Sequence, residues 1–266
     1  MTDAVQDIQK MYEDNGCLVN SEYKPREGLY FYTLTAMPKN GIKAICVMLP
    51  GYAEHIDRYI SMMAHFANNG ICCFGYDPRG YGKTGIRNAK KGHGGGRANI
   101  LADIAWAVQW SKTLDKSDVS PTFLYGHGMS GLRVLDFAVR GKQEEREFLT
   151  GYIASSPMLR MIPAPQISSF TIWFGRVLSY ILPNRMTKAY LDPTKLCSDP
   201  AVQEEYRSNE NNYDIGTLRL FRGVYVTGEQ FVGPLSHLWI SKLNQPILFA
   251  IGDRDDVAEY VLLTFL

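Results

Sequence analysis

Six residues, Gly126-His127-Gly128-Met129-Ser130-Gly131, stand between an apolar run (Thr122 to Tyr125) and a segment with helical spacing. A strand that passes through glycines straight into a helix has the shape of a nucleophile elbow. Such a turn is strained and lifts one reactive side chain toward a substrate. The apex residue here is Gly128, which has no hydroxyl and forms no covalent intermediate. Glycine does tolerate the positive φ that the apex of such a turn demands, so the stretch predicts the geometry of an elbow without its chemistry. Ser130 is the one candidate substitute in the motif. Its place in the first helical turn suits a cap or a packed residue better, because a nucleophile needs a base within reach.

Three further loops carry polar residues after apolar runs: Leu49 to Tyr59 (LPGYAEHIDRY), Asp77 to Gly85 (DPRGYGKTG) and Gly252 to Asp256 (GDRDD). In open α/β sheets, reactive groups gather in loops at the carboxyl ends of strands. Taken in order, the four loops resemble those of the α/β-hydrolases. The likeness is to the monoglyceride lipase and lysophospholipase branch, also labelled serine aminopeptidase-like. Gly51, Glu54, His55, Arg58 and Tyr59 match its H-G-x-x-E-H-x-x-R-Y pattern, with Pro50 in place of the opening histidine. Asp77, Gly80 and Gly82 match D-x-x-G-x-G-x-S, with Thr84 at the serine position. Gly126, His127, Met129 and Gly131 match the elbow G-H-S-M-G-G, and Gly252 and Asp255 match a late G-x-x-D. The resemblance runs from about residue 17 to the end.

This resemblance implies acyl transfer. A serine attacks an ester carbonyl, a histidine oriented by an acid takes its proton, and two backbone N–H groups hold the oxyanion. Carried over residue by residue, Gly128 holds the nucleophile position and Asp255 the acid position. The N–H groups of Tyr52 and Met129 are the oxyanion donors. The implied substrates and partners are monoacylglycerols, lysophospholipids or fatty acids, with no cofactor and no metal. The family's catalytic histidine follows the acid, whereas His55, His65, His93, His127 and His237 all precede Asp255. The final strand and helix are therefore expected to be missing, and the chain to be a catalytically impaired lipid ester hydrolase. Two alternatives stand beside that expectation: a non-catalytic lipid-binding or regulatory pseudohydrolase, and a truncated gene product.

Two other motifs mislead. Gly82-Lys83-Thr84 looks like the end of a phosphate loop, but Asp77 stands where the first glycine belongs, and Gly85 to Gly96 reads as a loop. His93-Gly94-Gly95-Gly96 spells a lipase oxyanion motif, yet it follows the wrong strand and reads as a surface loop.

The elements that must position these loops follow from periodicity. An antiparallel pair opens the chain, Cys17 to Tyr23 and Gly28 to Ala36, with Lys24 to Glu27 as its turn. Apolar strands at Ala44 to Leu49, Ile71 to Tyr76, Thr122 to Tyr125, Thr150 to Ser155 and Pro246 to Ile251 then alternate with amphipathic helices. That alternation predicts one α/β domain over residues 1–266, a mostly parallel central sheet with helices on both faces. Residues 156–232 break the rhythm, with Pro157, Pro163, Pro165, Pro183 and Pro193 among their residues, and read as an inserted helical cap. Within it, Phe170, Trp173 and Phe174 are candidate substrate-binding residues, on a segment that is either a buried helix or an interfacial one. Met158, Met161 and Met186 offer an adaptable acyl pocket or ordinary packing.

Net charge is +1 with no basic stripe, which argues against a nucleic-acid partner. The five cysteines lack metal-ligand spacing, and the polar start MTDAVQDIQKMYEDNG has no apolar leader. A reducing, cytoplasmic location is expected, with peripheral contact to membranes or lipid droplets through the cap.

Overall fold

The computed structural model describes residues 17–115, 119–160, 175, 177–189 and 191–258. Strand β1 (Cys17–Arg26) pairs antiparallel with β2 (Leu29–Pro38) through a two-residue turn. Both turn residues, Glu27 (φ 49°) and Gly28 (φ 74°), are left-handed, the conformation that matches the twist of a hairpin. The turn expected over Lys24 to Glu27 is thus displaced. Pro25 sits inside the ladder opposite Tyr30, tolerated because β1 is an edge strand.

The apolar run of β3 (Ala44–Leu49) leads through a single 3₁₀ turn (Ile56–Tyr59) into α1 (Ile60–Asn68). Strand β4 (Ile71–Tyr76) follows, then α2 (Gly82–Arg87), α3 (Arg97–Ser111), β5 (Thr122–His127), α4 (Met129–Arg140), α5 (Gln143–Phe148) and β6 (Gly151–Ser155). The expected loop after Thr84 begins instead with the short helix α2, because Thr84 is anchored: its buried Oγ1 accepts the Tyr32 N–H at 2.9 Å. Lys83 is equally committed, with Nζ 2.7 Å from Asp57.

Beyond β6, the expected cap region holds more than helices. It contains β7 (Met186–Lys188), α6 (Pro193–Leu196), α7 (Pro200–Ser208), β8 (Ile215–Thr217) and α8 (Leu218–Val232), with β7 and β8 paired antiparallel. Residues 177–181 are helical. Phe170, Trp173, Phe174 and Met161 lie outside the described residues. The short α9 (His237–Ile240) and β9 (Ile247–Ala250) complete the described chain.

Seven strands form one sheet in the order β1-β2-β4-β3-β5-β6-β9, antiparallel as far as β2–β4 and parallel from β4 onward. Continuous apolar strands need cover on both faces. On one face Val47, Phe74 and Leu124 pack against Ile104 and Val108 of α3 and Phe137 of α4. On the other, Cys46, Met48 and Cys73 pack against Met63, Ala64 and Ala67 of α1. The carboxyl ends of β3, β5, β6 and β9 therefore open on one side, where the candidate loops meet.

Candidate functional site

The elbow is built by three glycines with different tasks. A Cβ on Gly126 would lie 2.3 Å from the Ser130 carbonyl oxygen, so only glycine lets β5 turn this tightly into α4. A Cβ on Gly131 would lie 2.9 Å from Pro157 Cα, so glycine there lets α4 approach the chain leaving β6. Gly128 at the apex has φ 55° and ψ −119°. Its N–H donates to the Ser155 carbonyl (2.9 Å), and its own carbonyl accepts from Gly131 (3.0 Å) and Met158 (2.9 Å). Backbone bonds alone hold this conformation, and a Cβ built there meets no atom within 4 Å.

Ser130 is fully buried, and its hydroxyl donates to the Pro50 carbonyl at 2.6 Å. The proline that departs from the family pattern therefore contributes its carbonyl to a joint between the first loop and α4.

A cavity of about 360 Å³ opens over the apex. It brings together residues from three stretches far apart in sequence: Tyr52, the pair Gly128 and Met129, and Asp255. Among the described residues, no acceptor engages the backbone N–H of Tyr52 or Met129. Met158, Leu191, Leu196 and Val202 give the cavity an apolar wall drawn mostly from the cap region. Arg58, Lys195 and Arg254 add cationic groups to its rim. Asp255 Oδ1 accepts the N–H groups of Val257 and Ala258, each at 2.9 Å, which closes an Asx-type turn. Among the described residues no imidazole bonds to this carboxylate.

His127 is the residue that sequence reasoning undervalued. It lines the cavity, and its Nδ1 lies 3.2 Å from Ser155 Oγ at the end of β6. The signal was its place directly before the apex; its partner, in a separate strand, left none. His55, by contrast, is buried and turned toward the cap. Its Nε2 accepts from Asn209 Nδ2 at 3.0 Å, and burial lowers its pKa below the usual imidazole range, as the neutral ring requires.

The first loop is wound around Glu54. Its Oε2 accepts the Gly51 N–H (2.9 Å) and the Tyr59 hydroxyl (2.6 Å), while Arg58 Nε reaches Oε1 at 3.3 Å. Gly51, Glu54, Arg58 and Tyr59 thus act together in holding that loop. Arg58 also pairs with Glu205 of α7. Asp77, with no exposed surface, ties two loops by accepting the N–H groups of Ile56 and Lys83, each at 2.6 Å. Its desolvation pushes the carboxyl up to about 8. Among the described residues no group of three or more His, Cys, Asp or Glu side chains is arranged to hold a metal.

A family model described as serine aminopeptidase, S33, matches residues 40–261. The chain belongs to that family. It is 28% identical over 198 residues to an abhydrolase domain-containing protein of Dictyostelium discoideum, covering 74% of this chain and 20% of that one. It is 26% identical over 164 residues to the monoglyceride lipase of Saccharomyces cerevisiae, covering 62% of this chain and 51% of the lipase. The chain thus spans from a fifth to about half of the length of these relatives. A crystal structure of a soluble variant of the Saccharomyces cerevisiae monoglyceride lipase, in complex with a substrate analog, superposes with a TM-score of 0.83. It covers 93% of this chain and 80% of that one at 22% identity, a likeness of fold. This member of the serine aminopeptidase family thus has a strand-to-helix turn with glycine at its apex.

Proposed function

We propose that the cavity binds an acyl lipid, a monoacylglycerol, lysophospholipid or fatty acid, and that the chain is a catalytically impaired ester hydrolase of the monoglyceride lipase kind. The observation that carries this reading is Gly128 in elbow geometry (φ 55°, ψ −119°), with open space where a nucleophile would stand. In this reading the N–H groups of Tyr52 and Met129 hold the ester or carboxylate oxygen. The apolar wall of Met158, Leu191, Leu196 and Val202 takes the acyl chain. Asp255 holds the acid position, but its oxygen braces its own turn. Ser130 is no substitute nucleophile, since its hydroxyl is spent on Pro50. The named relatives support a lipid as the ligand class.

Without a nucleophile, what remains is oxyanion stabilisation and binding, which in serine proteases leave roughly 10³–10⁴-fold over water. The purified chain is expected to bind a fatty acid or monoacylglycerol saturably in calorimetry. It is also expected to resist a fluorophosphonate probe and to turn over p-nitrophenyl esters only at that residual level. Gly128→Ser fits the space and is expected to stay unlabelled, because among the described residues no imidazole bonds to Asp255. Labelling of Gly128→Ser that vanished on adding His127→Ala would instead make His127 the base. Covalent labelling of the unmodified chain, or no binding heat with any of these lipids, would overturn the proposal.

A further inference from the structure

Arg133 lies on α4 one helical turn after Met129, at 8% exposure. A buried guanidinium ordinarily faces a carboxylate, because an unpaired buried charge is costly. The two acids that share cavity walls with Arg133 are already committed. Asp103 takes Arg79 in a two-point fork (2.8 and 2.9 Å), with Arg26 at 3.5 Å. Asp136 is shared by Arg97 (3.2 Å) and Arg140. Arg133 is left with Nη2 3.7 Å from the Met129 sulfur, and among the described residues its Nε has no acceptor.

Arg133 lines a second, smaller cavity on the far side of Met129. It measures about 30 Å³, room for a group of one or two water volumes and not for an acyl chain. Its polar and charged lining comes from Gly95, Gly96, Arg97, Arg133, Asp136, Arg219 and Thr227, set among apolar residues such as Leu132, Leu220 and Val224. Three cations against one carboxylate leave the lining with an excess of two positive charges. Gly95 has φ 73°, a left-handed turn that brings backbone close to the cavity. Helix α3, fifteen residues long, begins at Arg97, and its first-turn N–H groups have no intrahelical acceptor. The glycine run that imitates a lipase motif is thus the backbone wall of a cationic cradle.

We propose that this cavity is a binding site for a small inorganic anion, phosphate or halide, held by Arg133 and Arg219 over the N-terminus of α3. The site is separate from the acyl cavity and stands whether or not that cavity binds lipid. Met129 lines both.

The test titrates sodium phosphate, and separately sodium bromide, into the full chain against gluconate at constant ionic strength. Calorimetric heat and the thermal midpoint are the readouts. Saturable binding and a raised midpoint are expected for at least one anion, and the two titrations tell phosphate from halide. Arg133→Met should weaken that binding by about tenfold or more, since it removes a charged donor. The variant is expected to fold, because an apolar residue there relieves a buried charge. Should it not fold, Arg219→Gln carries the same expectation. Crystals soaked in bromide should place an anomalous peak between Arg133 and Gly95. Failure of both anions to bind saturably, or unchanged affinity in the folded variants, would mean that the guanidinium is served by water alone and would overturn the proposal.

Discussion

Ser130 and Pro50 are 80 positions apart, yet the joint between them is a single buried hydrogen bond of 2.6 Å. Removing the hydroxyl strands a buried carbonyl, so Ser130→Ala is expected to cost about 1 kcal/mol, read as a lowered thermal midpoint. Lipid binding should persist, because the apex backbone is held by Ser155 and Met158 instead. At this scale the sequence was legible wherever a residue type answers a backbone demand. Gly126, Gly128 and Gly131 could be placed because each is required by a turn or a close approach. The partner of Ser130 was not legible, since nothing near it in sequence marks Pro50. The same holds for His127, whose anchor Ser155 belongs to a different strand.

Among elements, α7 and its C-cap residue Asn209 meet the first loop through Arg58, which pairs with Glu205 and lies over the Tyr206 ring, and through the bond of Asn209 to His55. The Asn209 amide donates to a neutral ring, and protonation of His55 would place two donors face to face. Burial depresses the folded-state pKa of His55, so at mildly acidic pH the unfolded chain binds the proton that the folded chain refuses. The stability that His55 contributes is therefore full above about pH 6.5, the unfolded value, and declines as pH falls below it. Hydrogen exchange in α7 should quicken on acidification, and His55→Asn should flatten that dependence. The parallel strands were legible because burial on both faces writes them as unbroken apolar runs. The hairpin turn was misplaced because Pro25, a frequent turn residue, is harmless on an edge strand. Strands β7 and β8 went unforeseen because three residues are too few to show a period.

Across the whole molecule, apolar surface is unevenly spent. Tyr180 and Ile181 are 71% and 70% exposed, beside Val177 and Leu182, in the segment between β6 and β7. Among the described residues no helix is long and apolar enough to cross a membrane. A patch of this kind suits contact with a lipid surface, the arrangement by which an acyl ligand would reach the cavity. Sedimentation with phosphatidylcholine vesicles is expected to carry the chain down, and Ile181→Asp to reduce the bound fraction several-fold. Equal sedimentation of the two proteins would exclude this patch as a lipid contact.

The unencumbered apex has one more consequence, for which residues the position tolerates. A side chain at φ 55° is strained by about 1–3 kcal/mol relative to glycine. Glycine spares this chain that cost, and since a Cβ there meets no described atom, exchange at the apex is unhindered in both directions yet downhill only toward glycine.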